Sequence, residues 1–260
     1  MMDVSTVKAR IFKEKYTIIA IAALLAIIGI QLGKYVKTEP VNEGLVKLEE
    51  SGIPATQDQL FVHIAGNDPT IVEWLLMAGV DPNGMNNEGY TPLAVAAMTE
   101  NRADIIRVLG KYGANPQQLN AANNWPALFH AIGKDNGNVE ALLEIGADPN
   151  HLTADYISPL YLATKSRSYD TITSLLKAGA DVNLHNEHGV NIPLYVAVQD
   201  AVNEGDNTMA LFLISVGADP FALENTEDGP RIAVGIRGVE GNLEEELRKA
   251  MIKWDNKQQP

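Results

Sequence analysis

A glycine returns at a nearly constant interval along this chain, at Gly79, Gly113, Gly146, Gly179 and Gly217. The steps are 34, 33, 33 and 38 residues, a period that restricts the fold to a stack of small, similar units. The phrases around the glycines repeat as well. Gly146-Ala147-Asp148-Pro149-Asn150 and Gly179-Ala180-Asp181-Val182-Asn183 close two units, while Thr91-Pro92-Leu93 and Ser158-Pro159-Leu160 open two. Thr91 or Ser158 before proline can accept a bond from a free helix N–H, and proline suits the first helical turn. Leu93 with Ala96, Leu128 with Ala131, Leu160 with Ala163 and Leu194 with Ala197 then share one face of a short helix, the small residue allowing close approach. A second helix follows. Ile105, Ile106, Val108 and Leu109 make it apolar on more than one side, so it must be buried between neighbours. Glycine supplies the left-handed residue that stops it, and Asp-Pro-Asn turns the chain into a projecting loop. One unit has too little core to stand alone; several stacked together bury a continuous one.

These openings and closings resemble the ankyrin repeat. The resemblance implies an all-α solenoid of about five to six repeats with degenerate terminal units, covering residues 44–254. The family's Thr-Pro-Leu-His is incomplete, with Ala94, Phe129, Tyr161 and Tyr195 where histidine would stand. Residues 44–54 read as an amphipathic half-repeat cap stopped by Gly52 and Pro54. Thr56 and Gln59 match a capping box that opens a helix at 57–65, with a partner helix at 71–78. His63 stands where the family has alanine, so packing there must differ. The fifth unit has Ile192 in place of the capping hydroxyl and a longer inter-helix loop at 200–206. A sixth, weaker unit begins at Gly229-Pro230. A closing helix begins at Asn242, with Glu244, Glu245 and Glu246 at the positive end of its dipole and Arg248, Lys249 and Lys253 towards the other.

The amino-terminal region is of another kind. Residues 1–15 form a basic tail with Lys8, Arg10, Lys13 and Lys15, and residues 16–33 carry no charge. Eighteen such residues at about 1.5 Å each reach roughly 27 Å, close to the hydrocarbon thickness of a bilayer. A cleaved signal peptide would want small residues one and three before a cut after the apolar run; Ala20 and Ala22 have that spacing but sit inside it. The reading is an uncleaved transmembrane signal anchor. Its basic flank stays in the cytoplasm, so everything after residue 38, within a linker at 34–43, lies across the membrane. In a bacterium this places the repeats in the periplasm, tethered to the inner membrane, ahead of a short tail at 255–260. The chain has a net charge of −13 and no cysteine, which excludes a lipoprotein anchor and a thiolate metal site. Its first 38 residues contribute +4, so the remaining 222 carry −17. Such acidity disfavours nucleic acid and suits a basic partner, besides favouring solubility.

Nothing in the sequence assembles a catalytic triad or a phosphate loop, and the chain reads as a non-enzyme without cofactor. His151, His185 and His188 sit on neighbouring loops, where a weak metal site competes with the plainer reading of polar loop tips. His130 reads as a satisfied structural or surface histidine. In the family, projecting loops and first helices grip a protein partner on a concave face. Carried over by position, that face comprises Asn87, Glu88 and Tyr90; Asn123 and Trp125; Asp155, Tyr156 and Ile157; and His188 and Asn191. Tyr90, Trp125 and Tyr156 are the candidate anchors, local loop packing being the alternative for each. An inhibitor or immunity protein for a basic effector is the leading functional reading. A scaffold or assembly factor for an envelope complex or periplasmic enzyme is the alternative.

Overall fold

The computed structural model describes residues 42–134, 136–184, 192–220 and 242–258. Among them every regular element is a helix, and no strand occurs. The order is α1 (Glu43–Ser51), α2 (Gln57–Ala65), α3 (Pro69–Met77), α4 (Pro92–Met98), α5 (Ala103–Lys111) and α6 (Ala127–Ala131). Then come α7 (Asn136–Glu144), α8 (Pro159–Lys165), α9 (Tyr169–Lys177), α10 (Pro193–Glu204), α11 (Thr208–Ser215) and α12 (Asn242–Gln258). The described residues from Glu43 onward belong to one compact unit.

The helices pair as α2/α3, α4/α5, α6/α7, α8/α9 and α10/α11. First helices stack in one row, α2 on α4, α4 on α6, α6 on α8 and α8 on α10. Second helices stack beside them, α1 on α3, α3 on α5, α5 on α7 and α7 on α9. Helix α1 enters the second row alone, as a half-repeat cap would. Its Gly44 lies so close to α3 that a Cβ there would stand 2.5 Å from the Trp74 carbonyl oxygen, which only glycine permits. The core runs through both rows. Each leucine–alanine pair from Leu93 and Ala96 to Leu194 and Ala197 is buried, together with Ile105, Ile106 and Leu109.

The local chemistry follows from the sequence. Thr91 Oγ1 accepts the Ala94 N–H at 3.2 Å, and Ser158 Oγ accepts the Tyr161 N–H at 3.0 Å. Gly79, Gly113, Gly146, Gly179 and Gly217 all hold positive φ. The next amide reaches back to the helix each time, as Ala147 N–H does to the Leu142 carbonyl at 2.9 Å. The closing asparagines join units. Asn150 donates to the Gly179 carbonyl at 2.9 Å and accepts the Asp181 N–H at 2.7 Å; Asn83 and Asn183 make the same pair of bonds one unit onward. At the corresponding place Gln117 donates to the Gly146 carbonyl at 2.9 Å.

One expectation in the fifth unit changes. Ile192 indeed makes no side-chain cap, but residues 200–204 continue α10 instead of forming a loop. Ala201 is buried there, and Arg167 pairs with Glu204 at 2.6 Å and with Asp200 at 3.5 Å, so the helix runs on to a left-handed Gly205. His63 is half-buried while Leu60 and Ile64 fill the core of α2. Helix α12 begins at Asn242 and packs on α11 through Leu243 and Leu247; Glu244 pairs with Arg248, and Glu245 and Glu246 with Lys249. Among the described residues no helix is long and apolar enough to cross a membrane. The charge-free run at 16–33 and the sixth unit at Gly229-Pro230 lie outside the described residues.

Candidate partner-binding face

Three loops carry the positions singled out by sequence, and each is a tight turn closed on its own backbone. In the α3–α4 loop the Asn86 N–H donates to the Tyr90 carbonyl at 2.9 Å, and Asn86 Oδ1 accepts from the amides of Glu88 and Tyr90. In the α7–α8 loop Thr153 does the same, its N–H to the Ile157 carbonyl and its hydroxyl accepting the Ile157 N–H. In the α5–α6 loop the Asn120 N–H bonds the Trp125 carbonyl, while Asn123 Oδ1 accepts the Trp125 N–H at 3.1 Å. These turns leave Asn87, Glu88, Asn123, Asp155 and Tyr156 exposed, with Tyr90, Trp125 and Ile157 half-buried. His188 and Asn191 lie outside the described residues, as does His185.

Two of the three aromatic candidates converge. The Trp125 and Tyr90 rings both stand 5.9 Å from the His130 ring, Tyr90 edge-on to it. Trp125 also leans on Phe129 at 5.7 Å, and Phe129 meets His151 of the next loop at 5.8 Å. Trp125 therefore serves local packing as well as the surface, and its removal will touch stability too. Tyr156 occupies the following loop tip, 42% exposed.

The centre of the cluster is His130, which sequence reading set aside. Asn120 Nδ2 lies 3.2 Å and Asn123 Nδ2 3.4 Å from its Nε2. Asn120 is fully buried; its Oδ1 accepts the Thr91 N–H at 2.8 Å and its Nδ2 donates to the Trp125 carbonyl. One side chain thus ties the start of α4, the Trp125 loop and His130 together. Burial, reinforced by the Lys134 charge, lowers the His130 pKa from 6.5 to about 4, so the imidazole is neutral near pH 7. The signal for this network was an asparagine among asparagines, recognisable only once His130 faces it.

Charge is partitioned as well. The loop segments 78–91, 112–126, 145–158 and 178–184 contain Asp81, Glu88, Asp148, Asp155 and Asp181, with no Lys or Arg. Several basic residues are instead engaged along the second row and the inter-helix turns. Lys111 pairs with Glu73 at 2.6 Å, Arg107 with Glu144 at 2.7 Å, and Arg102 donates to the Ile64 and Ala65 carbonyls that end α2. Among the described residues no group of three His, Asp or Glu side chains is placed to hold a metal ion.

A two-row stack of helix pairs, with unit-closing glycines and loops braced from one unit to the next, defines a helical repeat protein. Residues 60–153 match the family described as "Ankyrin repeats (3 copies)", and residues 155–187 match "Ankyrin repeat". Residues 60–153 and 155–187 of the chain are thus ankyrin repeats. The chain is 29% identical over 202 residues to the potassium channel AKT2/3 of Arabidopsis thaliana, covering 76% of this chain and 24% of the channel. It is 36% identical over 96 residues to the ankyrin repeat protein nuc-2 of Neurospora crassa, 36% of this chain and 9% of that protein. With the B-cell lymphoma 3 protein homolog of Mus musculus it shares 26% identity over 147 residues, 54% and 32% of the two chains. The chain thus spans a third or less of the length of each of these relatives. Ankyrin repeats mediate binding to protein partners, and the array is a protein–protein interaction module.

Proposed function

We propose that this array holds a basic protein partner on its loop face and neutralises it, as an inhibitor or immunity protein does for an effector. The observation that carries the reading is the partition of charge. Five carboxylates and no Lys or Arg occupy the loop segments 78–91, 112–126, 145–158 and 178–184, beside a half-buried aromatic cluster at Tyr90, Trp125 and His130. Aromatic anchors hold such complexes, and one-signed loops steer an oppositely charged partner into them. We read residues 16–33 as the anchor that keeps the array at the bacterial inner membrane with its repeats in the periplasm, and the module as one that binds without catalysis. The basic residues before the charge-free run support that orientation.

Capture from an envelope extract on the intact, detergent-solubilised chain tests the reading. Wild type should retain a basic protein, and Trp125→Ala should weaken that complex by about 2 kcal/mol. Retention of no envelope protein would sink it. A periplasm-dependent reporter fused after Pro260 should be active; activity confined to a cytoplasmic reporter would reverse the topology.

A further inference from the structure

The Tyr90–Trp125–His130 cluster has a feature its aromatic content alone does not imply: it is electrically neutral, and the loop that carries Tyr90 also carries an exposed carboxylate, Glu88. The Asn120 amide cannot be turned over, because its oxygen accepts the Thr91 N–H and its nitrogen donates to the Trp125 carbonyl. The atom 3.2 Å from His130 Nε2 is therefore an N–H donor, and Nε2 is the nitrogen without a proton. No cation is contributed by either loop that frames the rings, since 78–91 and 112–126 contain no Lys or Arg. Lys134, the cation that acts on His130, has its ammonium 3.4 Å from the Met98 carbonyl at the end of α4. Glu88 is exposed two residues before Tyr90 and enters no ion pair among the described residues.

We propose that this cluster seats an arginine side chain of the basic partner, its guanidinium against the Trp125 ring and hydrogen-bonded to the Glu88 carboxylate. The proposal rests on the partner reading above and names the group recognised. A guanidinium is flat and weakly hydrated, stacks on aromatic faces and offers paired N–H groups to a carboxylate; an ammonium is compact and strongly hydrated. Face stacking plus a fork to Glu88 therefore selects arginine over lysine.

Binding of hexa-arginine, hexalysine and hexacitrulline peptides to the intact chain in detergent micelles provides the test. Hexa-arginine should bind at least about fivefold more tightly than either of the others. Trp125→Ala and Glu88→Gln should each remove most of that preference, and Trp125→Phe should keep it. Because Trp125 packs on Phe129, the exposed Glu88→Gln variant decides the matter if Trp125→Ala loses its helical circular dichroism. Equal affinity for hexalysine, or an undiminished arginine preference in Glu88→Gln, overturns the proposal. If arginine is not preferred yet the extract still yields a basic protein that Trp125→Ala loses, the arginine assignment falls and the partner reading stands. If the extract yields nothing, both fall.

Discussion

Tyr156 holds a φ of 59°, at the loop position where its neighbours place Gly89 and Asn124 with φ of 82° and 56°. A left-handed backbone costs a residue such as tyrosine about 1–2 kcal/mol, and asparagine tolerates it better. Retaining tyrosine at an exposed tip is what a contact surface would require, the strain being held by the rest of the turn. Tyr156→Asn should therefore raise stability by about 0.5–1 kcal/mol in a denaturant titration while weakening partner capture. Unchanged capture would remove Tyr156 from the face. His130 gives a second prediction at this scale. Its folded pKa of about 4 lies below its ordinary 6.5, so in that window the unfolded chain binds a proton that the folded chain does not. Stability is full above pH 6.5 and falls as pH drops towards 4. Glu73 and Glu144, held low by Lys111 and Arg107, add their own losses only below about 4.5. Thermal midpoints should decline between pH 6.5 and 5, and His130→Gln should flatten that decline. These residue-level features were the least legible in the sequence. Asn120 meets Thr91 across 29 positions, a contact unlike the local spacings that mark a helix face.

At the scale of the element, sequence reading went furthest where chemistry repeats. Thr91 and Ser158 cap, glycine stops, and leucine with alanine three positions later faces the core, because each depends on residues within one turn. It failed at residues 200–204, whose polar composition suggested a loop. Buried Ala201 and the Arg167 ion pairs extend α10 through them, a tertiary preference overriding a local one. Close approach along the first row gives a further prediction. Ala163 is fully buried on α8, between α6 and α10. Ala163→Leu should cost about 1–3 kcal/mol by overpacking, read as a lower denaturation midpoint. An unshifted midpoint would mean the row can open to admit it.

Over the whole molecule, the loop segments carry carboxylates while ion pairs such as Lys111–Glu73 and Arg107–Glu144 run along the second row. If the partner is basic, added salt should slow association more than it speeds dissociation, since exposed charge steers the encounter and buried rings hold the complex. A salt effect confined to dissociation would place charge inside the interface. The asparagine rungs bear on how the array would respond to mechanical load. Asn83, Asn150 and Asn183 each fasten a unit to the next one alone, so a pull applied at one end loads one junction before the others. Stretched between its ends, the array should lengthen in discrete steps of one 33-residue unit, roughly 110–120 Å of released chain apiece, rather than give way at once.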